Sequence, residues 1–259
     1  MSGTVLVARQ GDIATLVLDN PERMNALSRP MWERLGQVTD ELSADDSVRC
    51  VVLRGAGSRA FAAGADIAEF EHERANSKQA KRYGRSVERT LRSLSLCRHP
   101  VIAMIHGACV GGGLEIAAQC DLRVCGQSAR FGVPVKSLGL VMAFAELKGL
   151  VDLCGKAVAL EIALEGRVFD AREAKEKGLV NRVVPDDKVE EEAYASAQRI
   201  AEGAPLVARW HKKFANRLMQ PQPLSQAEYD ESYACFDTED YRIGFKAFLA
   251  KQKPQFKGR

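Results

Sequence analysis

Long hydrophobic runs are missing from this chain. No apolar stretch approaches the roughly twenty residues that a bilayer-crossing helix needs, which argues against a membrane-spanning protein. The first residues also lack the apolar core of a secretory signal. Excess charge is missing as well. With 37 Lys and Arg against 34 Asp and Glu, a net +3 gives no general preference for nucleic acid or a membrane surface. The seven cysteines contain no CxxC pair and are odd in number. Most of them (Cys50, Cys97, Cys109, Cys120, Cys125 and Cys154) stand in apolar contexts. Reduced core thiols and a cytoplasmic setting are expected, rather than disulfides or zinc. His72, His99 and His211 show no metal-ligand spacing, so no metal is expected. A GxSxG nucleophile elbow, a P-loop lysine pattern, low-complexity segments and short repeats are all absent.

What is present looks like an ordinary globular protein. The 259 residues are 46% hydrophobic and 27% charged, enough for a large core. Val5–Ala8 and Ile13–Leu18 alternate around Gly11-Asp12, which predicts a hairpin. Ser28 is placed to cap a helix reaching about Leu42, with Pro30 in its first turn. Apolar runs at 50–53, 101–105 and 122–125 read as buried strands alternating with helices. Lys78–Cys97 reads as a long helix with a basic stripe: Lys78, Lys81, Arg82, Arg85, Arg89 and Arg92. The simplest reading of that stripe is a solvated face or a subunit contact. RNA binding or help with phosphates are the alternatives, and no interleaved aromatics support base stacking. From Asp187 onward helical periodicity dominates, broken at Pro205, Pro221 and Pro223. The chain is therefore divided into a core of repeated β-β-α units, 1–186, and a helical C-terminal module, 187–259.

Two segments carry the chemistry. Residues 106–121 read His-Gly-Ala-Cys-Val-Gly-Gly-Gly-Leu-Glu-Ile-Ala-Ala-Gln-Cys-Asp. A strand, three glycines and a helix leave helix-start N–H groups unpaired and open to a ligand. Such groups stabilise negative charge, and Glu115 falls in the first turn beside them. Residues 50–70 repeat the pattern, with a strand at Cys50–Leu53, a Gly/Ala-rich loop and an acidic helix start at Asp66. Either junction alone could serve packing. Together they can supply the two donors of an oxyanion hole, beside a carboxylate suited to proton transfer next to a carbonyl.

These residues resemble the crotonase (enoyl-CoA hydratase/isomerase) superfamily. The resemblance rests on Phe61-Ala-Ala-Gly-Ala-Asp-Ile67, His106-Gly with Gly111-Gly-Gly-Leu-Glu115, Cys120-Asp-Leu-Arg123 and Arg130-Phe-Gly132. Asn20–Leu27, Ala174–Val184 and Ala247–Lys251 extend it over essentially the whole chain. It implies an α/β spiral of β-β-α turns whose C-terminal helices pack into a homotrimer or a dimer of trimers. It implies an acyl-CoA substrate, with no separate cofactor because coenzyme A is part of that substrate. The thioester oxygen would be held by the N–H groups of Ala65 and Gly112, each donor worth ~3 kcal/mol. Arg23, Met24, Ala63, Ala65, Asp66 and Ile67 match positions around the CoA nucleotide. Phe248 and Lys251 match positions on the terminal helix that reach a neighbour's CoA. His106 is read as a structural hydrogen-bonding group.

The departures from the pattern matter most. Hydratases of this family carry two glutamates. The first matches Glu115, but the second falls at Val135, which cannot exchange a proton. The position at which several isomerases place an aspartate matches Ala143. Ordinary two-glutamate hydration is therefore not expected. Glu146, three residues beyond Ala143, is read first as a solvated helix-start glutamate and second as a substitute acid. Lys136 is read as exposed. The leading expectation is a single-glutamate enzyme, as in double-bond isomerisation. The alternatives are a lyase, hydratase or hydrolase using Glu115 with Glu146 or water, and a non-catalytic or RNA-binding crotonase-fold protein. The acyl pocket is expected between 67–98 and 131–147, with Val133, Val135, Val141, Met142 and Phe144 as apolar wall.

Overall fold

The computed structural model describes residues 3–259. Strands β1 (Thr4–Gln10) and β2 (Ile13–Asp19) form the expected hairpin, with Gly11 at φ +61° in its turn. Helix α1 (Arg29–Ala44) is capped by Ser28, whose hydroxyl accepts the Met31 N–H. Strand β3 (Cys50–Gly55) is followed by β4 (Ala60–Ala62), the short α2 (Phe70–Glu73) and the long α3 (Ser77–Leu96). Strand β5 (Val101–Ile105) is followed by β6 (Ala108–Val110) and α4 (Gly112–Gln119). Then come β7 (Leu122–Gly126), β8 (Arg130–Gly132) and α5 (Phe144–Glu165), which breaks at Gly155. Strand β9 (Phe169–Asp170), α6 (Ala171–Glu176), β10 (Arg182–Val184) and α7 (Val189–Ala201) complete the core. Helices α8 (Pro205–Leu218), α9 (Gln226–Glu231) and α10 (Glu239–Leu249) follow.

Two sheets result, one of six strands ordered β1-β2-β3-β5-β7-β10 and one of four ordered β4-β6-β8-β9. From β3 to β8 successive strands go alternately to the large sheet and the small one. The three-residue strands β4 and β6 were not foreseen. The glycine run follows β6, rather than the long strand β5 as the sequence reading had it. A three-residue strand is too short for its side-chain alternation to be read.

Both faces of the large sheet are covered, so its central strands are nearly continuously apolar and successive residues serve opposite faces. On one face Leu16, Leu18, Val51, Leu53, Ala103 and Ile105 meet the buried sides of α1 and α3. On the other, Cys50, Val52, Ile102, Met104 and Val124 meet Val189, Ala193 and Ala197 of α7. Helix α7, read from sequence with the C-terminal module, thus forms the second cover of the sheet. The Thr15 and Tyr194 hydroxyls share a hydrogen bond of 2.7 Å across that contact.

The Cys120-Asp-Leu-Arg123 segment anchors α4. Buried Arg123 donates to the Ala117 and Cys120 carbonyls at the end of α4 and to the Leu179 carbonyl. Asp121 accepts the Val101 N–H at 2.7 Å and the Lys212 ammonium at 2.8 Å, tying α8 to the start of β5. All seven cysteines are unpaired, five of them buried. No helix of the described residues is long and apolar enough to cross a membrane.

The turn between β5 and β6 admits no side chain. Gly107 has φ +55°, and a Cβ there would lie 1.9 Å from the Arg59 carbonyl oxygen. Gly107→Ala is expected to cost about 1–3 kcal/mol or more, combining backbone strain with a steric clash. A urea midpoint equal to that of the parent chain would contradict this account.

Candidate active site

The pocket forms where β4 and β6 deliver their loops side by side. Gly64 at φ +107° and Gly111 at φ +53° make the two sharp turns, and a Cβ on Gly64 would lie 3.8 Å from the Gly112 nitrogen. The Gly64 carbonyl accepts the Leu27 N–H at 2.8 Å, and the Leu27 carbonyl accepts the Asp66 N–H at 2.9 Å. These bonds bracket Ala65, whose own N–H has no acceptor among the described residues. Gly112 is the first residue of α4, so its N–H has no intrahelical partner. Both free donors border one cavity of about 120 Å³.

The glycines of α4 are set by close approach. A Cβ on Gly113 would meet the Ala62 carbonyl oxygen at 2.3 Å, and one on Gly112 would meet the Trp32 ring at 2.9 Å. Trp32 and Tyr83 form an inner wall, the indole N–H donating to the Tyr83 hydroxyl at 3.0 Å. Neither was singled out from sequence. Trp32 lies on the apolar face of the predicted first helix, where it reads as ordinary core. Tyr83, Ile67, Phe70 and Arg74 do fall in the 67–98 stretch expected to wall the pocket.

Glu115 is buried at 6% exposure and opens onto the cavity. Burial foremost, then the charge of Glu146, pushes its carboxyl well above the usual range, while Arg74 pulls it down. Glu146 lines the same cavity. The simpler reading of it as a solvated glutamate is corrected here. The carboxylate turns back to accept the Ala143 N–H at 2.6 Å, which keeps it half-buried at the start of α5. Burial raises its pKa, and the Ala143 N–H and Arg74 oppose that. Val135 borders the cavity and Ala143 does not.

Not every expected wall residue is there. Val135 and Val141 line the cavity, whereas Val133 and Met142 are buried in the core. Phe144 is 96% exposed, because the first turn of α5 points it outward. Lys136 is exposed.

Of the expected CoA positions, Ala63, Ala65 and Ile67 line the cavity, and Arg23, Met24 and Asp66 do not. Met24 and Ala63 are joined by a 3.0 Å backbone bond. Arg23 pairs with Asp66 at 2.5 Å, and Asp66 also caps the 3-10 helix Ile67–Glu69. Asn25, at φ +57°, holds this turn by donating to the Ala56 and Ala60 carbonyls. Phe248 and Lys251 are exposed and do not border the cavity of their own chain. His106 contacts the Asp186 carbonyl at 3.2 Å, a structural bond. The basic residues of α3 are all exposed, on the face opposite buried Tyr83, Val87 and Leu91.

A larger cavity of about 810 Å³ lies between the end of α3 and helices α8 and α9. Its charges are largely paired, as in Lys212–Asp121 and Arg217–Glu228. The two loop N–H groups and the carboxyls of Glu115 and Glu146 border the smaller cavity, which is therefore the candidate site.

Comparison with known proteins agrees with this geometry. A family model described as Enoyl-CoA hydratase/isomerase matches residues 8–259. The chain belongs to that family. A crystal structure titled as an enoyl-CoA hydratase/carnithine racemase from Magnetospirillum magneticum superposes with a TM-score of 0.98 at 50% identity. That match covers 100% of this chain and 97% of the other. The short-chain-enoyl-CoA hydratase of Clostridium acetobutylicum is 34% identical over 98% of each chain. The crotonyl-CoA hydratase of Syntrophomonas wolfei is 31% identical over 97% of each. The fold is accordingly that of the crotonase enzymes, and the chain is an acyl-CoA enzyme of the hydratase/isomerase family.

A buried acid with a raised pKa leaves a stability signature. The folded protein holds the Glu115 proton more tightly than the unfolded chain does, so stability falls as pH rises from the ordinary glutamate range through the folded pKa. Glu115→Gln removes that penalty. Its melting temperature is expected to exceed the parent's at about pH 8, with the gain vanishing near pH 4. A gain independent of pH would contradict the assignment of the penalty to ionisation.

Proposed function

We propose that this enzyme adds water reversibly across the double bond of a 2-enoyl-CoA, using Glu115 and Glu146 as its acid–base pair. The observation that carries this reading is the Glu146 carboxyl in the same cavity as Glu115 and the Ala65 and Gly112 donors. Single-glutamate isomerisation, the leading expectation from sequence, followed from the lack of a second acid at Val135 and Ala143. A second acid from α5 removes that reason. The names of the hydratase relatives point the same way.

The chemistry follows from the charge each group can hold. Two carboxyls in one apolar site cannot both ionise freely. Glu115 is the deeper and accepts no hydrogen bond among the described residues, which favours its neutral form. Glu146 accepts a backbone N–H at a helix start, which favours its ionised form. Glu146 then takes a proton from water as the oxygen bonds to Cβ. The displaced electron pair moves onto the thioester oxygen, held by the Ala65 and Gly112 N–H groups. Glu115 returns a proton to Cα, and the enolate collapses to the 3-hydroxyacyl thioester. H and OH have been added, and the carboxyls have exchanged one proton.

On this reading Arg23, Met24, Ala63, Asp66 and Ile67 meet the CoA moiety. Phe248 and Lys251 meet it only if a neighbouring subunit brings them there. The exposed aromatics Tyr229, Tyr233, Phe236 and Phe245 leave the C-terminal helices needing a partner surface. Assembly as a trimer, or a dimer of trimers, supplies both. Light scattering at micromolar concentration should give a trimer or larger. A particle of one chain's mass, 28.4 kDa, would refute it.

The acid–base reading is tested by two substitutions. Glu115→Gln and Glu146→Gln should each slow hydration of crotonyl-CoA by ~100-fold or more, with little change in affinity for a saturated acyl-CoA. Loss in Glu115→Gln alone, with isomerisation of a 3-enoyl-CoA retained in Glu146→Gln, would favour the single-glutamate isomerase instead.

A further inference from the structure

Arg74 follows α2 and borders the cavity that holds Glu115 and Glu146. It is the one cation among the residues lining that cavity. Its guanidinium carbon sits 4.6 Å from the centre of the Phe70 ring and 4.9 Å from that of Tyr83. Stacking of this kind holds the guanidinium in place and leaves its N–H edges uncovered. Among the described residues no carboxylate pairs with it. The acids nearby are otherwise engaged. Glu73 of α2 pairs with Arg29 and Arg82, and Glu69 accepts the Arg29 N–H. The Tyr83 hydroxyl, from α3, accepts the Trp32 indole N–H. This leaves Glu115 from α4 and Glu146 from α5 as the free acids facing the same space.

We propose that Arg74 is a positioning residue for the acid–base pair, its charge keeping one of Glu115 and Glu146 ionised while the other holds a proton. With one proton on the pair and one positive charge on Arg74, the site is neutral overall. Neutrality is what an apolar cavity tolerates, since an uncompensated charge there is costly. A further carboxylate on the acyl group would leave the site with an excess negative charge. The acyl group is therefore an uncharged one. The directions of the two pKa shifts agree, because Arg74 lowers both carboxyls against their burial.

The inference rests on the two-acid reading, and the experiment separates them. Arg74→Met keeps an unbranched apolar stem but removes the guanidinium and its charge, and Arg74→Lys keeps the charge. Hydration of crotonyl-CoA is followed against pH for both, with urea midpoints to verify folding. For Arg74→Met, kcat/KM at neutral pH should fall by about 10-fold. Its acid limb should move upward by about one pH unit, since the base loses the charge that kept it ionised. KM should change little, and Arg74→Lys should recover most of the loss. Glutamate carboxyl signals in selectively 13C-labelled enzyme should show the first ionisation of the pair moving upward without substrate.

A uniform loss with an unmoved profile and unmoved carboxyl titration would overturn the proposal. So would a wild-type preference for a carboxyl-terminated enoyl-CoA that disappears in Arg74→Met, because Arg74 would then be a substrate receptor. Full activity in Glu146→Gln would bring down the two-acid reading, whatever the carboxyl titration shows for Arg74.

Discussion

The packing of α4 against β4 is the constraint on which the site depends. With Gly113 against the Ala62 carbonyl and Gly112 against Trp32, the helix start sits where no side chain would allow it. That approach brings the Gly112 N–H beside the Ala65 loop and aims Glu115 into the same space. The other end of α4 is equally fixed, by the Arg123 guanidinium on its terminal carbonyls. A short helix clamped at both ends holds donor and carboxylate in one geometry. Oxyanion stabilisation requires this, since donors that must reorganise during reaction contribute less.

The legible part of the molecule is the part governed by local rules. The hairpin, the Ser28 cap, the long strands and the α3 helix follow from alternation, turn residues and amphipathic spacing. Both loops could be read as strand–loop–helix junctions because glycine and alanine runs mark such turns. The strands β4 and β6 escaped detection because three residues carry no pattern. Trp32 and Arg74 escaped for a different reason. Each is ordinary for its segment and becomes part of the site only through packing between elements distant in sequence. The roles of Ala65, Gly112 and the CoA-facing residues came from family resemblance, since spacing alone left a packing junction equally open.

Glu146 shows where position-by-position matching fails. Counting from the family pattern, the second acid should occupy residue 135 or 143, and both are apolar. In the proposed reaction the carboxyl comes instead from the first turn of α5, in a segment where the chain departs from the family pattern. What the chemistry needs is a carboxyl oxygen in the cavity, and a different residue on a neighbouring element can supply one. The backbone N–H of Ala143 replaces solvent around that oxygen, so the acid is held in place as well as brought close.

Placing two acids in a small apolar cavity creates a problem that burial alone would settle badly. Both would take protons, and a pair of neutral acids has no base. The fold separates them by environment. Glu115 lies deep with no donor, while Glu146 has a helix-start N–H. Arg74 then adds a charge that neither carboxyl could supply for the other. The rings of Phe70 and Tyr83 hold that charge at the cavity wall without neutralising it, because an aromatic face attracts a cation but takes no proton from it. With valine at 135, the proposed acid on α5 needs its own compensating charge, and Arg74 in the α2–α3 connection lines the same cavity.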